Sequence, residues 1–223
     1  MALRRARLGS ENRTGRTTAI RGFFLLEAEK PFSRLQYTTM YLDFFERHLA
    51  IGSREEALRL TKTDKHFWHV ISICSPITAP LDLSNAKSVH RLRFEDTENA
   101  KDTDAVCVPR IEVIADALAF ADKTAPGGLL VHCQMGWSRS TAIALVLLAR
   151  KLYPAPDGIP RAIDTLLLLR EKSRPNILIV QLGLSLFMNP DESAAAMKII
   201  HADPHFSANR LATSSNTHRN PYI

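Results

Sequence analysis

The chain reads as an α/β protein with a central, mainly parallel sheet flanked by helices, and three observations predict it. Phe67–Ile73 (FWHVISI) is a β-branched and aromatic run that closes at Cys74 and Pro76. Leu129–Val131 is a second apolar strand, opened by the breaker Pro126-Gly127-Gly128. Directly after it, Thr141–Ala149 carries no charge, which predicts a helix wrapped on all sides. Strands that alternate with helices in this way form parallel layers, because each parallel connection needs a crossover.

The remaining elements follow in chain order. Residues 1–30 are a basic, polar leader. Tyr37–Leu49 (YTTMYLDFFERHL) has two readings: Tyr41, Phe44, Phe45 and His48 suit a helix, whereas TTMYLDFF has strand propensity. Ser53 opens a short helix (SREEALRL), with Glu56 at the spacing of a capping box. Val89–Phe94 (VHRLRF) alternates apolar and basic residues, as a strand near an edge does, and runs into the acidic turn EDTENAKDTD. Ile111, Ile114, Ala115, Leu118 and Ala121 recur at helical spacing.

A helix is expected from Arg139 to about Tyr153, then the loop YPAPDGIP, then a helix over Arg161–Arg170. Arg174-Pro175-Asn176 opens a further helix (ILIVQLGLSLF) that fades near Asn189-Pro190. No fold is assigned to the polar last thirty residues. The expected organisation is a leader (1–30), one folded domain (31–190) and a tail (191–223).

Composition narrows the function. The 223 residues, 45% hydrophobic, suffice for one core. Formal charge is +6, but residues 1–21 hold six arginines and one acid, so the body is nearly neutral. That leader reads as an electrostatic tether, an import presequence or a solvated tail. No nucleic-acid partner is expected for the body, and no apolar run approaches the ~18 residues of a membrane span. Three cysteines (74, 107, 133) without a CxxC arrangement argue for a reducing compartment; His66 and His69 lack ligand company. A cytoplasmic protein without metal or cofactor is expected.

The chemistry concentrates in Val131–Thr141, VHCQMGWSRST. A strand that turns through a short loop into a helix aims loop N–H groups and the helix N-terminus at one point, an anion site. Gly136 permits the tight curl. Arg139, in the first helical turn, adds a planar fork suited to two phosphate oxygens. The field that holds a phosphate also favours a thiolate, so Cys133 is the candidate nucleophile. Ser140 and Thr141 each offer a hydroxyl near the sulfur.

His132-Cys133, five residues, then Arg139-Ser140 resembles the signature of the cysteine-dependent protein tyrosine phosphatase superfamily, and HCQMGWSRST its dual-specificity branch. The resemblance implies a dual-specificity-phosphatase-like fold over about residues 37–188. It implies Cys133 as nucleophile and Arg139 as phosphate ligand, with Gln134, Met135, Gly136, Trp137 and Ser138 completing the substrate loop. His132, Ser140 and Thr141 then support it. FEDTENA resembles the branch's acid loop, which implies Asp96, 37 residues before Cys133, as general acid. Asp102 and Asp104 are its rivals. Pro175-Asn176 with Gln181-Leu182 resembles a helix start in which Asn176 braces the phosphate loop. A resolving-cysteine role for Cys74, by disulfide with Cys133, is a further implication; a core role is its alternative. Trp137 is either a stacking rim or a prop.

The activity implied is phosphomonoester hydrolysis through a phosphocysteine, on a phosphorylated protein or peptide. The chain lacks a Trp-Pro-Asp loop, which favours a shallow dual-specificity-like pocket, and has no lysines inside Gln134–Ser138, which argues against phosphoinositides; phosphotyrosine is expected first, then phosphoserine or phosphothreonine. Two competing classes are a phosphate-reading pseudophosphatase module and an RNA 5′-triphosphatase of the same fold.

Overall fold

The computed structural model describes residues 39–98 and 108–217, the side chains through 211. The leader, Asp102, Asp104 and Cys107 lie outside the described residues. Among those described, five strands form one mixed sheet, flanked by seven α-helices.

The ambiguous segment resolves into a hairpin. Strand β1 (Thr39–Leu42) turns through a short 3-10 stretch (Asp43–Phe45) into β2 (Arg47–Gly52), antiparallel to it. The helix-like spacing of Tyr41 and His48 is a cross-strand pair, with ring centroids 5.2 Å apart. Beyond it come helix α1 (Arg54–Thr63), β3 (Trp68–Cys74), β4 (Ser88–Arg93) and α2 (Ile111–Lys123). Strand β5 (Gly128–His132) then leads into α3 (Arg139–Leu152), followed by α4 (Gly158–Leu169) and α5 (Ile177–Leu184). The sheet order is β1-β2-β5-β3-β4; β2, β5, β3 and β4 run parallel, with β4 at the edge as its alternation predicts.

Strand alternation divides the core in two. Leu49, Ile51, Ile71, Ile73, Leu129 and Val131 join the helical side with α2 to α5. Ala50, Trp68, Val70 and Leu130 face the opposite side, covered by Ala57 and Leu60 of α1 and by Leu81 and Leu83. Helix α3 is buried from Arg139 through Ala149, the wrapped helix its charge-free run predicts. Each fully buried Leu, Ile or Val there contributes about 1.5–3 kcal/mol.

Helix α4 begins at Gly158, inside the stretch read as loop. The larger departure is C-terminal. Where the sequence suggests no fold, α6 (Pro190–Ala202) and α7 (Pro204–Thr217) form. Asn189 caps α6 through a reciprocal capping box with Glu192, and Pro190 occupies the first turn, so the apparent fade is a helix start. Polar composition hides these helices because only a few residues, Ala196, Ile200 and Phe206, anchor them to the core.

Inside the hairpin lies an unforeseen buried cation. The Arg47 guanidinium donates to the carbonyls of Ala121 (2.7 Å) and Gly127 (2.6 Å), tying β2 to the end of α2. Burial lowers its pKa to about 10 against the opposing pull of Asp122, so it stays charged at neutral pH. The C-terminal ends of β2, β5 and β3 meet at one edge of the sheet, where open α/β sheets place their sites.

Candidate active site

The loop between β5 and α3 is pressed against the junction of β2 and α1. Cys133 N–H donates to Gly52 O (3.3 Å), and Arg54 N–H donates to Gln134 O (3.2 Å). Gly136 has φ +74°, and a Cβ there would lie 2.5 Å from Gly52 C and 2.6 Å from Ser53 N. Two independent demands, a left-handed backbone and a backbone-to-backbone approach, therefore require glycine. The curl sends Gly136 N–H back to Cys133 Sγ at 3.2 Å. Ser140 Oγ stands 3.2 Å from the same sulfur. Thr141 does otherwise: its hydroxyl donates to Trp137 O (2.5 Å) and Ser138 O (2.8 Å), within the first turn of α3.

One residue that sequence spacing did not reveal holds the loop's outer rim. Arg170 donates through Nε to Gly136 O (3.1 Å) and through Nη2 to Met135 O (3.3 Å). Its Nη1 pairs with Glu56 Oε1 at 2.9 Å, the two side chains being only 11% and 3% exposed. Glu56 is the same residue whose Oε2 accepts Ser53 N–H in the α1 capping box, so helix cap and loop clamp share one carboxylate. The capping box was legible; its partner, 114 residues away, was not.

Arg139 lies buried at the start of α3. Its Nη1 donates to Phe94 O (2.9 Å), and its Nε faces Asp96 Oδ2 at 3.9 Å without a hydrogen bond. Asp96 Oδ1 accepts from Ser138 Oγ (2.7 Å) and from Asn176 Nδ2 (2.9 Å). Asp96 is one-third exposed (34%), so its second oxygen is not sealed away. Asp96 is thus brought to Ser138, Arg139 and Asn176, and Cys133 to Ser140 and Gly136 of the same loop. Asn176 touches both segments: its backbone N–H reaches Ser138 O (3.4 Å), and its side chain donates to Asp96 and to Thr97 O while capping α5.

His132 is buried, with Nδ1 at 3.3 Å from Cys133 O and no partner for Nε2. Burial lowers its pKa to about 4, the bond to Cys133 O opposing, so the ring is neutral at ordinary pH. Around the loop, Gln134 and Met135 are exposed and Trp137 is half-buried.

No family model matches the chain, and no curated protein matches it. Solved structures do. A mouse putative dual specificity phosphatase, complexed with zinc tungstate, superposes with a TM-score of 0.51 at 16% identity, covering 77% of this chain and 98% of that one. A human tyrosine phosphatase-like serine/threonine/tyrosine-interacting protein superposes with a TM-score of 0.50 at 18% identity, covering 66% and 93%.

The fold is that of the dual-specificity phosphatases.

In this dual-specificity phosphatase fold, a loop that turns a backbone N–H and a hydroxyl toward a thiol at a helix N-terminus is chemically able to receive a tetrahedral oxyanion. Cys74 and Cys133 are both free and buried. Strand alternation sets Cys74 with Ser72 and Val70, and Cys133 with Val131 and Leu129, on opposite sides of the sheet. Cys74 Sγ contacts Leu92 O at 3.8 Å.

Proposed function

We propose that this chain is a cysteine-dependent phosphomonoesterase acting on phosphorylated protein, phosphotyrosine first and phosphoserine or phosphothreonine second. The observation that carries the reading is that Gly136 N–H and the Ser140 hydroxyl each lie 3.2 Å from Cys133 Sγ, where both can donate to a thiolate. A structural thiol needs neither; a thiolate nucleophile is stabilised by both.

The sulfur attacks phosphorus in line, forming an S–P bond as the P–O bond to the leaving group breaks. Arg139 and the α3 N-terminus hold the phosphoryl oxygens. Asp96 delivers a proton to the departing oxygen through Oδ2, while Ser138 and Asn176 occupy Oδ1. Water, losing its proton to Asp96, then attacks phosphorus and the S–P bond breaks. Ser140 donates to the departing thiolate. No metal enters these steps. A reactive thiol must stay reduced, which favours a cytoplasmic setting; no described helix is long and apolar enough to cross a membrane.

The test is hydrolysis of p-nitrophenyl phosphate in EDTA by wild type and Cys133→Ser. Activity lost by at least about a thousandfold in the folded variant supports the reading. Equal activity in both proteins refutes it, and a folded, inactive wild type that binds phosphotyrosine peptide turns the reading to a binding module.

A further inference from the structure

The residues that hold Asp96 do not end at the phosphate loop. Two positions on, Glu98 places Oε1 3.2 Å from Ile177 N–H, at the N-terminus of α5. Its Oε2 lies 3.5 Å from Arg210 Nη1, on α7. The same guanidinium donates through Nη2 to Pro175 O (2.8 Å), beside Asn176. One residue earlier on the chain, Asn209 Nδ2 donates to Glu171 O (2.9 Å) and Ser173 O (2.8 Å). Buried Phe206 anchors the helix below these contacts. Helix α7 therefore holds the backbone of residues 171–175, next to Asn176, and pairs with the side chain of Glu98, two positions from Asp96.

The carbonyl contacts of Asn209 suffice to dock a helix. The Arg210–Glu98 pair does something separate, since it joins the helix to the acid loop itself. From these contacts we infer that α7 latches the acid loop, with Arg210 a positioning residue that acts on Asp96 through Glu98. The inference rests on the proposed role of Asp96. An ion pair with side chains 33% and 48% exposed adds little to global stability, so its loss is expected to appear in geometry rather than in folding. A carboxylic acid must reach the leaving oxygen, and small displacements of such a group are costly in rate.

General-acid catalysis has its own signature: its loss slows poor leaving groups far more than good ones. The experiment compares kcat on phenyl phosphate and on p-nitrophenyl phosphate for wild type, Arg210→Ala, Arg210→Lys, Glu98→Gln and Asp96→Asn, with thermal melts of each. Arg210→Ala and Glu98→Gln are expected to lose about fivefold on phenyl phosphate and less than about twofold on p-nitrophenyl phosphate. Arg210→Lys recovers most of the loss, and the melts shift little. Asp96→Asn shows the same selectivity at roughly 10²–10⁴-fold. Selectivity in Asp96→Asn without selectivity in either latch variant overturns the latch alone. No selectivity in Asp96→Asn overturns the acid assignment beneath it, and the latch with it. Glu98→Gln, which keeps an acceptor for Ile177 N–H, decides the matter should Arg210→Ala fail to fold.

Discussion

Ser140 Oγ stands 3.2 Å from Cys133 Sγ, while the hydroxyl of adjacent Thr141 is spent on the carbonyls of Trp137 and Ser138. Sequence offered both hydroxyls to the sulfur; helical geometry gives it one. Removing that donor is expected to slow breakdown of the phosphocysteine about 10–100-fold. Stopped-flow of Ser140→Ala on p-nitrophenyl phosphate then shows a burst of p-nitrophenol followed by a slow steady state. Thr141→Val shows no burst and loses about 1 kcal/mol of stability in urea melts.

Gly136→Ala is expected to damage loop and fold together. The added methyl meets the Gly52 and Ser53 backbone at 2.5–2.6 Å, and the backbone at φ +74° suits alanine poorly. A loss above about 1 kcal/mol in urea denaturation is expected, with activity falling further than stability explains. Unchanged melts and kinetics would mean that the loop can sit clear of the β2–α1 junction.

Arg170→Met removes one half of a buried ion pair and leaves Glu56 unpaired under the loop. The expected cost is about 3–5 kcal/mol by chemical denaturation. Arg170→Lys is expected to recover only part, because one ammonium cannot span Gly136 O, Met135 O and Glu56 as the fork does.

His132 predicts a pH dependence of stability. In the unfolded chain the ring takes up a proton near pH 6.5, whereas burial holds it neutral down to about 4 in the fold. Between those values the unfolded state binds more protons, so stability falls as pH drops from 6.5 to 4. Above pH 6.5 both states are neutral and His132 adds no slope. The loss across the window is about 3 kcal/mol. His132→Asn, which keeps a donor for Cys133 O, is expected to flatten that part of the profile in urea melts from pH 7 to 4.

Which features were legible follows from the range of the interactions that create them. The Ser53–Glu56 capping box, the strand at Phe67–Ile73, the wrapped helix α3 and the loop from His132 to Thr141 are local patterns, and the structure contains all of them. Tyr37–Leu49 stayed undecided because helix and hairpin bring the same aromatic residues together by different routes. Helix α6 was unread although its start, Asn189-Pro190 with Glu192, is a local signal, whereas the Ser, Asn and Thr of α7 give weak propensity; three buried anchors supply the packing of the two helices.

The sequence alone determined the α/β class and offered the loop from His132 to Thr141 with Cys133 and Arg139 as candidates, since spacing and residue type within a dozen positions carry that information; Asp96, 37 residues upstream, became a candidate only through its resemblance to a family loop. Tertiary structure decided that Ser140 rather than Thr141 faces the sulfur, and that Asn176 serves Asp96. It also decided that Arg170 clamps the loop and that Arg210 reaches the acid loop. Each of the last three is a pairing between groups far apart in sequence, whose geometry exists only once the fold has brought their segments together. No local periodicity encodes such a pairing.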